Sequence, residues 1–353
     1  MKLLLLLAVL FMLGSQVFAS KTMAELNPEF ENYIRQAMKP KNEEGTIYQG
    51  RTIPLSLFHF SDIHGDETEL KRYTEFLQKY KKYFDDAVCT GDLIPGNYYD
   101  DFSFWGKVKG AEKILMTIGN HDLLKDKNWD WSKKPTDQET FDRYFAPFIK
   151  NWDVKYEEGK TYYYKDYPEK RFRIIALNCG LVGDDEIAQF NWFEKLITDA
   201  LVKDLAVVIL YHYPLRDMVN IKCNWTDPDK YEVGWTDDIN KYQDTLDKFI
   251  ENGGDFVCWL GGHTHWELVG YSKNHPNQLC ICIDAASRWQ AEVYDDIFRY
   301  DGTRSQDLAN AFVADRYSNT IKLIRIGANM SCYMIPRNVF CINYKTFEII
   351  SQY

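Results

Sequence analysis

Short apolar runs rich in β-branched residues alternate with amphipathic patterns through the first two thirds of the chain. These runs predict strands at residues 53–60, 86–90, 113–118, 171–177, 206–211 and 255–260. Apolar side chains spaced three and four residues apart predict helices between them, near 186–203 and 239–251. This alternation favours an α/β fold in which the strands are largely parallel.

The last third of the chain has a different pattern. Five short apolar segments follow one another with turns between them, as in an antiparallel meander: LCICI, AFVAD, TIKLIRI, CYMI and VFCINYK. Taken with the earlier alternation, this pattern predicts a two-sheet β-sandwich flanked by helices.

The N-terminus has the composition of a secretory signal. Lys2 precedes an apolar run over 3–13, and the small-residue pattern ends at Ala19. The run is short for a bilayer span. We therefore expect a signal peptide at 1–19, an N-terminal extension at 20–50, one domain at 51–353, and a secreted or periplasmic protein.

Charge and cysteine content narrow the setting further. The net charge of −10 gives no general attraction for nucleic acid or anionic membranes, so any phosphate must be bound locally. Among the eight cysteines, Cys332 and Cys341 could face each other across a turn, either as a disulfide or as two thiols. Asn224 and Asn329 lie in tripeptides that fit glycosylation acceptors of a eukaryotic secretory pathway.

Polar side chains of the kind that bind metals come directly after five of the predicted strands. They are Asp62, His64, Asp92, Asn120, His121, Asp122, His212, His263 and His265. Each stretch alone is ordinary, because a Gly-Asp pair is usually a turn and an Asn-His-Asp run is usually a loop or a cap. Five such turns in one chain favour a single site, since loops at one edge of a sheet can converge.

The ligand types indicate a centre of two divalent ions. Asp, His and Asn together suit zinc, manganese or iron, and the set is too large for one tetrahedral ion. Two-metal hydrolases hold their ions roughly 3.5–4 Å apart. In an extended GGHTH segment, His263 and His265 would point to the same side roughly 6–7 Å apart, which suits one histidine on each ion.

The motifs D-x-H, G-D, G-N-H-D, a lone His and G-H-x-H, in this order from Asp62 to His265, resemble the calcineurin-like metallophosphoesterase superfamily. The resemblance implies a metallophosphoesterase sandwich fold and a metal-dependent phosphoric ester hydrolase. It implies that Asp92 bridges two ions. It assigns the first ion to Asp62, His64 and His265, and the second to Asn120, His212 and His263. His121 would face the substrate to steady phosphate or protonate the leaving group, and Asp122 would orient that imidazole.

The expected substrate is a small phosphomonoester or phosphodiester. Two cations would hold its oxygens and lower the pKa of a bridging water, whose hydroxide would attack phosphorus in line. GDLIPGN and GNHD depart from the phosphoprotein phosphatase motifs, and Pro95 replaces the tyrosine of purple acid phosphatases. What remains resembles compact exported phosphoesterases of the bacterial type. An exported nuclease and a non-catalytic metal-bearing protein stay as alternatives, although no Lys/Arg-rich stretch favours long nucleic acid.

Aromatic residues crowd three predicted insertions, at 95–109, 123–160 and 215–240. They could stack on a base or sugar of the substrate, or pack the loops onto the sandwich. The side chains concerned are Tyr98, Tyr99, Phe102, Phe104, Trp105, Trp129, Trp131, Trp225, Trp235 and Trp266.

Overall fold

A computed structural model describes residues 21–39, 53–96, 101–123, 134–223, 225, 239–287, 299–328 and 338–352. The predicted signal peptide, Cys332, Asn224 and Asn329 lie outside these residues. None of the described helices is long and apolar enough to cross a membrane.

The described residues form fifteen strands. In chain order they are β1 (Leu55–Phe60), β2 (Asp86–Cys89), β3 (Leu115–Met116), β4 (Lys155–Tyr156), β5 (Tyr163–Tyr167), β6 (Phe172–Ala176), β7 (Ala206–Leu210), β8 (Met218–Asn220), β9 (Phe256–Gly261), β10 (Leu268–Ser272), β11 (Leu279–Cys282), β12 (Leu308–Asp315), β13 (Thr320–Gly327), β14 (Val339–Asn343) and β15 (Ile349–Gln352).

Seven α-helices accompany them in the same residues. They are α1 (Met23–Leu26), α2 (Phe30–Ala37), α3 (Glu67–Tyr80), α4 (Ser103–Lys107), α5 (Asp137–Thr140), α6 (Gly183–Val202) and α7 (Asn240–Glu251). Short 3₁₀ or π segments lie at Lys81–Tyr83, Ala111–Lys113, His121–Leu123, Phe141–Phe145, Ile149–Asn151 and Arg304–Gln306. The predicted helices near 186–203 and 239–251 are α6 and α7, and the six predicted strands are confirmed.

The strands make two sheets. One has the order β15–β14–β13–β12–β1–β2–β3, and the other β4–β5–β6–β7–β9–β11–β10–β8. Strands β1, β2 and β3 are parallel in the first sheet, and β6, β7, β9 and β11 are parallel in the second. The predicted antiparallel meander is present as β12–β15.

The prediction assigned one segment of that meander to the wrong sheet. LCICI forms β11, which lies in the other sheet and pairs in parallel with β9. All four residues of β11 are buried, as expected for a strand with neighbours on both sides and packing on both faces. An apolar run of this kind does not reveal its partner, because the pairing is set by tertiary contacts. CYMI lies outside the described residues.

One hydrophobic core joins the two sheets and their helices. Alternation along β1 turns Phe58 and Phe60 toward α3, where both pack edge-on against Tyr73. Between the sheets, the Tyr163 hydroxyl donates to the Met116 carbonyl at 3.1 Å. Helix α2 packs Phe30 on Phe76 of α3, so part of the predicted N-terminal extension belongs to this core. The sandwich flanked by helices is confirmed.

Candidate metal centre

The predicted ligands lie in loops that leave the carboxyl ends of parallel strands. Asp62 and His64 follow β1, Asp92 follows β2, and Asn120 follows β3, all in one sheet. His212 follows β7, and His263 and His265 follow β9, in the other sheet. The seven residues, called here the metal centre, therefore meet where the two sheets end together.

The first group of the metal centre is Asp62, His64 and His265, whose nearest ligand atoms all lie within 4.8 Å of one another. Nε2 of His265 is 3.4 Å from Asp62 Oδ1, and Nε2 of His64 is 3.8 Å from the same oxygen. The two Nε2 atoms are 3.4 Å apart. Three donors facing one another at these distances can share a cation.

The second group is Asp92, His212 and His263, which meets the same 4.8 Å limit. His212 Nε2 lies 3.3 Å from Asp92 Oδ1 and 2.9 Å from Asn120 Oδ1. The Nδ1–H of His212 donates to the Thr90 carbonyl at 2.8 Å, which fixes the ring and leaves Nε2 toward the centre.

Asp92 lies between the two groups. Its Oδ1 faces His212, whereas its Oδ2 is 3.8 Å from His64 Nε2 and 3.9 Å from His121 Nε2. A carboxylate that offers one oxygen to each group can be shared between two cations.

His121 is held beside this carboxylate. Its backbone N–H donates to Asp92 Oδ1 at 2.9 Å, and its Nδ1–H donates to the Pro95 carbonyl at 2.5 Å. Its side chain is 20% exposed, whereas those of His64 and His212 are fully buried. His121 is therefore open to a molecule that enters the site.

Asp122 has a different role from the one that we expected. Its carboxylate accepts backbone N–H bonds from Leu93 at 2.9 Å, Ile94 at 3.3 Å and Gly119 at 2.8 Å. These bonds join the loop after β2 to the loop after β3. Asp122 thus holds the backbone that carries Asp92 and His121, and the Pro95 carbonyl sets the imidazole.

The backbone of the metal centre is unusual. Five of its residues have left-handed φ angles: 54° at Asp62, 44° at His64, 53° at Asp92, 69° at His263 and 56° at His265. Such angles cost about 1–3 kcal/mol each outside glycine, and they persist where the surrounding structure imposes them. Their concentration here indicates a functional site.

Two glycines of the motifs are required by close approach. A Cβ on Gly119 would overlap the Asp92 carboxylate, and a Cβ on Gly262 would overlap Ser61 and the Asp62 carboxylate. The absent side chain lets each loop lie against a ligand.

Electrostatics prepare most of these groups to bind cations. Burial lowers the pKa of His64 and His263 to about 3, so both rings are neutral. Burial would also lower the pKa of His212, but the charge of Asp92 raises it to about 9. For Asp92, the effect of burial is outweighed by His212 and His121, and its pKa lies well below the ordinary value.

Unpaired polar atoms are further evidence that these residues fit a metal ion. Among the described residues, neither Asp62 Oδ1 nor His64 Nδ1 has a hydrogen-bond partner, and both atoms are buried. A buried carboxylate oxygen with no donor is costly unless a cation neutralises it. The set of carboxylate, imidazole and amide ligands suits zinc, manganese or iron.

Residues 55–267, more than half of the chain, match the family model of the calcineurin-like phosphoesterases. The chain belongs to this family. It is therefore a metal-dependent hydrolase of phosphoric esters, and the match spans the whole metal centre. Among curated proteins, none matches the chain significantly.

Solved structures that match the chain include a dimetal phosphatase from Danio rerio, at 12% identity and TM-score 0.48, covering 77% of this chain and 96% of that one. A predicted phosphoesterase from Streptococcus pneumoniae has 14% identity and TM-score 0.33, covering 82% and 97%. A Thermus thermophilus protein has 10% identity and TM-score 0.39, covering 77% and 99%.

Most of the described aromatic residues that were candidates for substrate contact are buried in this phosphoesterase. Phe102 and Trp105 are buried against each other, and Phe102 also packs edge-on against Tyr144. Trp225 is buried beneath the Arg325 guanidinium, 4.1 Å from its ring centre. These side chains, and the buried Phe104, pack the loops. Trp266, next to His265, is partly buried against the core. Tyr98, Tyr99, Trp129, Trp131 and Trp235 lie outside the described residues.

Sequence reasoning missed one residue beside the metal centre. The ring of Tyr213 meets the ring of His263 edge-on, with 4.4 Å between centroids. Its place next to His212 in the YHYP stretch was the available signal.

Proposed function

We propose that this chain is an exported phosphoesterase that hydrolyses a small phosphomonoester or phosphodiester with two divalent cations. The observation that carries the proposal is the meeting of seven ligand-type side chains with His121 at one edge of two sheets. Zinc, manganese and iron each suit this ligand set.

Each of the two groups would hold one ion. Asp62, His64 and His265 would hold one ion. Asn120, His212 and His263 would hold the other, with Asp92 shared. Bound there, the cations would neutralise phosphate oxygens and lower the pKa of a water molecule, so no side-chain nucleophile is needed.

His121 is the group that we assign to the leaving alcohol or to a phosphate oxygen. Its Nδ1–H donates to the Pro95 carbonyl, so Nε2 is the ring nitrogen that remains for the substrate. This Nε2 lies 3.9 Å from Asp92 Oδ2. A partly exposed imidazole at this position can donate a proton to the departing oxygen.

Charge favours a small substrate. The chain carries 52 acidic and 42 basic residues, and no basic stretch surrounds the motifs. A long polyanion would be repelled, whereas one phosphate group could be held by the cations alone. The apolar segment at 3–13 supports export to the periplasm or the outside of the cell.

The test is hydrolysis by protein loaded with manganese or zinc. p-Nitrophenyl phosphate and bis-p-nitrophenyl phosphate would distinguish a monoesterase from a diesterase. We expect His121→Ala to keep its metal and to lose about 10²–10⁴-fold in kcat. Asp142→Asn, which changes an exposed carboxylate in the Phe141–Phe145 segment, is the matched control and should act as wild type.

Two results would contradict the proposal. Wild-type protein that holds two ions yet releases no product from any ester would favour the non-catalytic alternative. Faster cleavage of a short oligonucleotide than of either small ester would favour the nuclease.

A further inference from the structure

His263 lacks the ring hydrogen bond that orients His212, the other histidine of its group. Its backbone N–H donates to Asp62 Oδ2 at 2.9 Å, but neither ring nitrogen has a hydrogen-bond partner among the described residues. Metal-binding histidines almost always donate their second ring N–H to a carbonyl or carboxylate, as His212 does to Thr90. The plane of the His263 ring is therefore not set by a hydrogen bond to any of the described residues.

In the described part of the chain, the His263 ring contacts the rings of Tyr213 and His212. Tyr213 lies 4.4 Å away with an interplanar angle of 85°, and His212 lies 5.1 Å away at 69°. In an edge-to-face pair the positive edge of one ring points at the electron-rich face of the other, which favours one relative orientation. The nearer of the two contacts is the one with Tyr213.

Tyr213 is itself part of a row of neighbouring aromatic rings. Its ring meets that of Tyr211 at 6.1 Å, and Tyr211 meets Trp259 at 6.0 Å. Trp259 is fixed by its indole N–H, which donates to Gln278 at 3.2 Å. The row therefore connects Trp259 of β9 with Tyr213 in the loop after β7.

We propose that Tyr213 is a positioning residue for His263, whose ring plane it fixes in place of a hydrogen-bonded partner. The inference rests on the assignment of His263 as a ligand in the proposed function. It concerns the contact between two rings, so the phenol oxygen of Tyr213 is not required for it. Loss of the ring should weaken one metal site and leave the other unchanged.

The experiment measures the two dissociation constants of manganese and of zinc by chelator competition on stripped protein. Tyr213→Phe keeps the ring and should bind both ions as wild type. Tyr213→Leu removes it and should weaken one site about tenfold. Tyr271→Leu is the matched control, because Tyr271 is also a half-buried tyrosine stacked on one ring, that of Phe347, on β10 away from the metal centre.

Thermal unfolding of the stripped proteins shows whether each variant folds. If Tyr213→Leu does not, Tyr213→Met provides a flexible side chain that fills the space without a ring. The inference is overturned if the folded ringless variant binds both ions as wild type, or if Tyr213→Phe is weakened as much as Tyr213→Leu. Wild-type protein that binds fewer than two ions would overturn the proposed function as well.

Discussion

Removal of the Asp122 carboxylate tests how the two loops of the metal centre are held together. Its oxygens accept three backbone N–H bonds, two from the loop after β2 and one from Gly119. Asp122→Ala leaves three buried donors without an acceptor, at about 1–3 kcal/mol each. Because the Ile94 bond is long at 3.3 Å, we expect a total loss of about 3–5 kcal/mol in the free energy of unfolding.

Asp122→Asn should cost less. The amide oxygen can still accept from Leu93 and Ile94, while the amide NH₂ faces the Gly119 N–H, so one donor is unpaired at about 1–3 kcal/mol. Burial, and then repulsion from Asp92, raises the pKa of Asp122 to about 8. Since a raised pKa means that ionised Asp122 costs stability, urea unfolding of chelator-treated protein is measured at pH 5, where the carboxyl group is neutral and this cost is smaller.

Asp142→Ala is the control for this series, because Asp142 is exposed and its substitution should change stability by less than about 0.5 kcal/mol. The reasoning is refuted if Asp122→Ala costs less than about 1 kcal/mol, or if the asparagine variant is as unstable as the alanine variant.

Three further outcomes follow from the same structure. Asp92 raises the pKa of His212 to about 9, so metal uptake at pH 7 should release a proton, and manganese affinity should fall as pH is lowered. A titration in weak buffer that releases no proton would contradict this. Gly262→Ala should reduce bound metal from two ions to about one by elemental analysis, because its Cβ displaces the Asp62 carboxylate; two retained ions would contradict the clash. Arg173→Met removes the cation that Asp166 binds, while Asp199 keeps Lys203. Chemical denaturation should therefore show a loss of about 2–4 kcal/mol with metal content unchanged, whereas a loss of metal would contradict a purely structural role.

The position of the metal centre could be predicted because each ligand comes directly after a strand. Neighbouring parallel strands end at the same edge of a sheet, which brings Asp62 close to Asp92 in one sheet and His212 close to His263 in the other. The packing of the two sheets then brings Asp62 close to His265. Local sequence carries this information, since the apolar residues that indicate a strand are followed directly by the ligand-type residue.

Strand partners could not be predicted in the same way. The residues of β5 are half-buried apart from Tyr163, so the segment has no apolar run that would indicate a strand. For β11, a short apolar segment was consistent with either sheet, and contacts with β9 and β10 decide between them.

The roles of Asp122 and Tyr213 depend on which loops meet in space. Asp122 follows His121 in a 3₁₀ turn, where successive side chains point about a third of a turn apart, so adjacency in sequence does not bring their side chains together. Tyr213 contacts His263 only because the loops after β7 and β9 come together. No local pattern indicates the role of Asp122, and the local signal for Tyr213 is limited to its place beside His212.

Metal content of wild-type protein and of Asp92→Asn, measured by elemental analysis together with ester hydrolysis, tests the two-metal centre most directly. We predict two divalent ions per chain in the wild type. Asp92→Asn should lose at least one ion and most of the activity, because the carboxylate lies between both groups. An Asp92→Asn protein with two ions and full activity would contradict the shared carboxylate, and wild-type protein with one ion would contradict the centre itself.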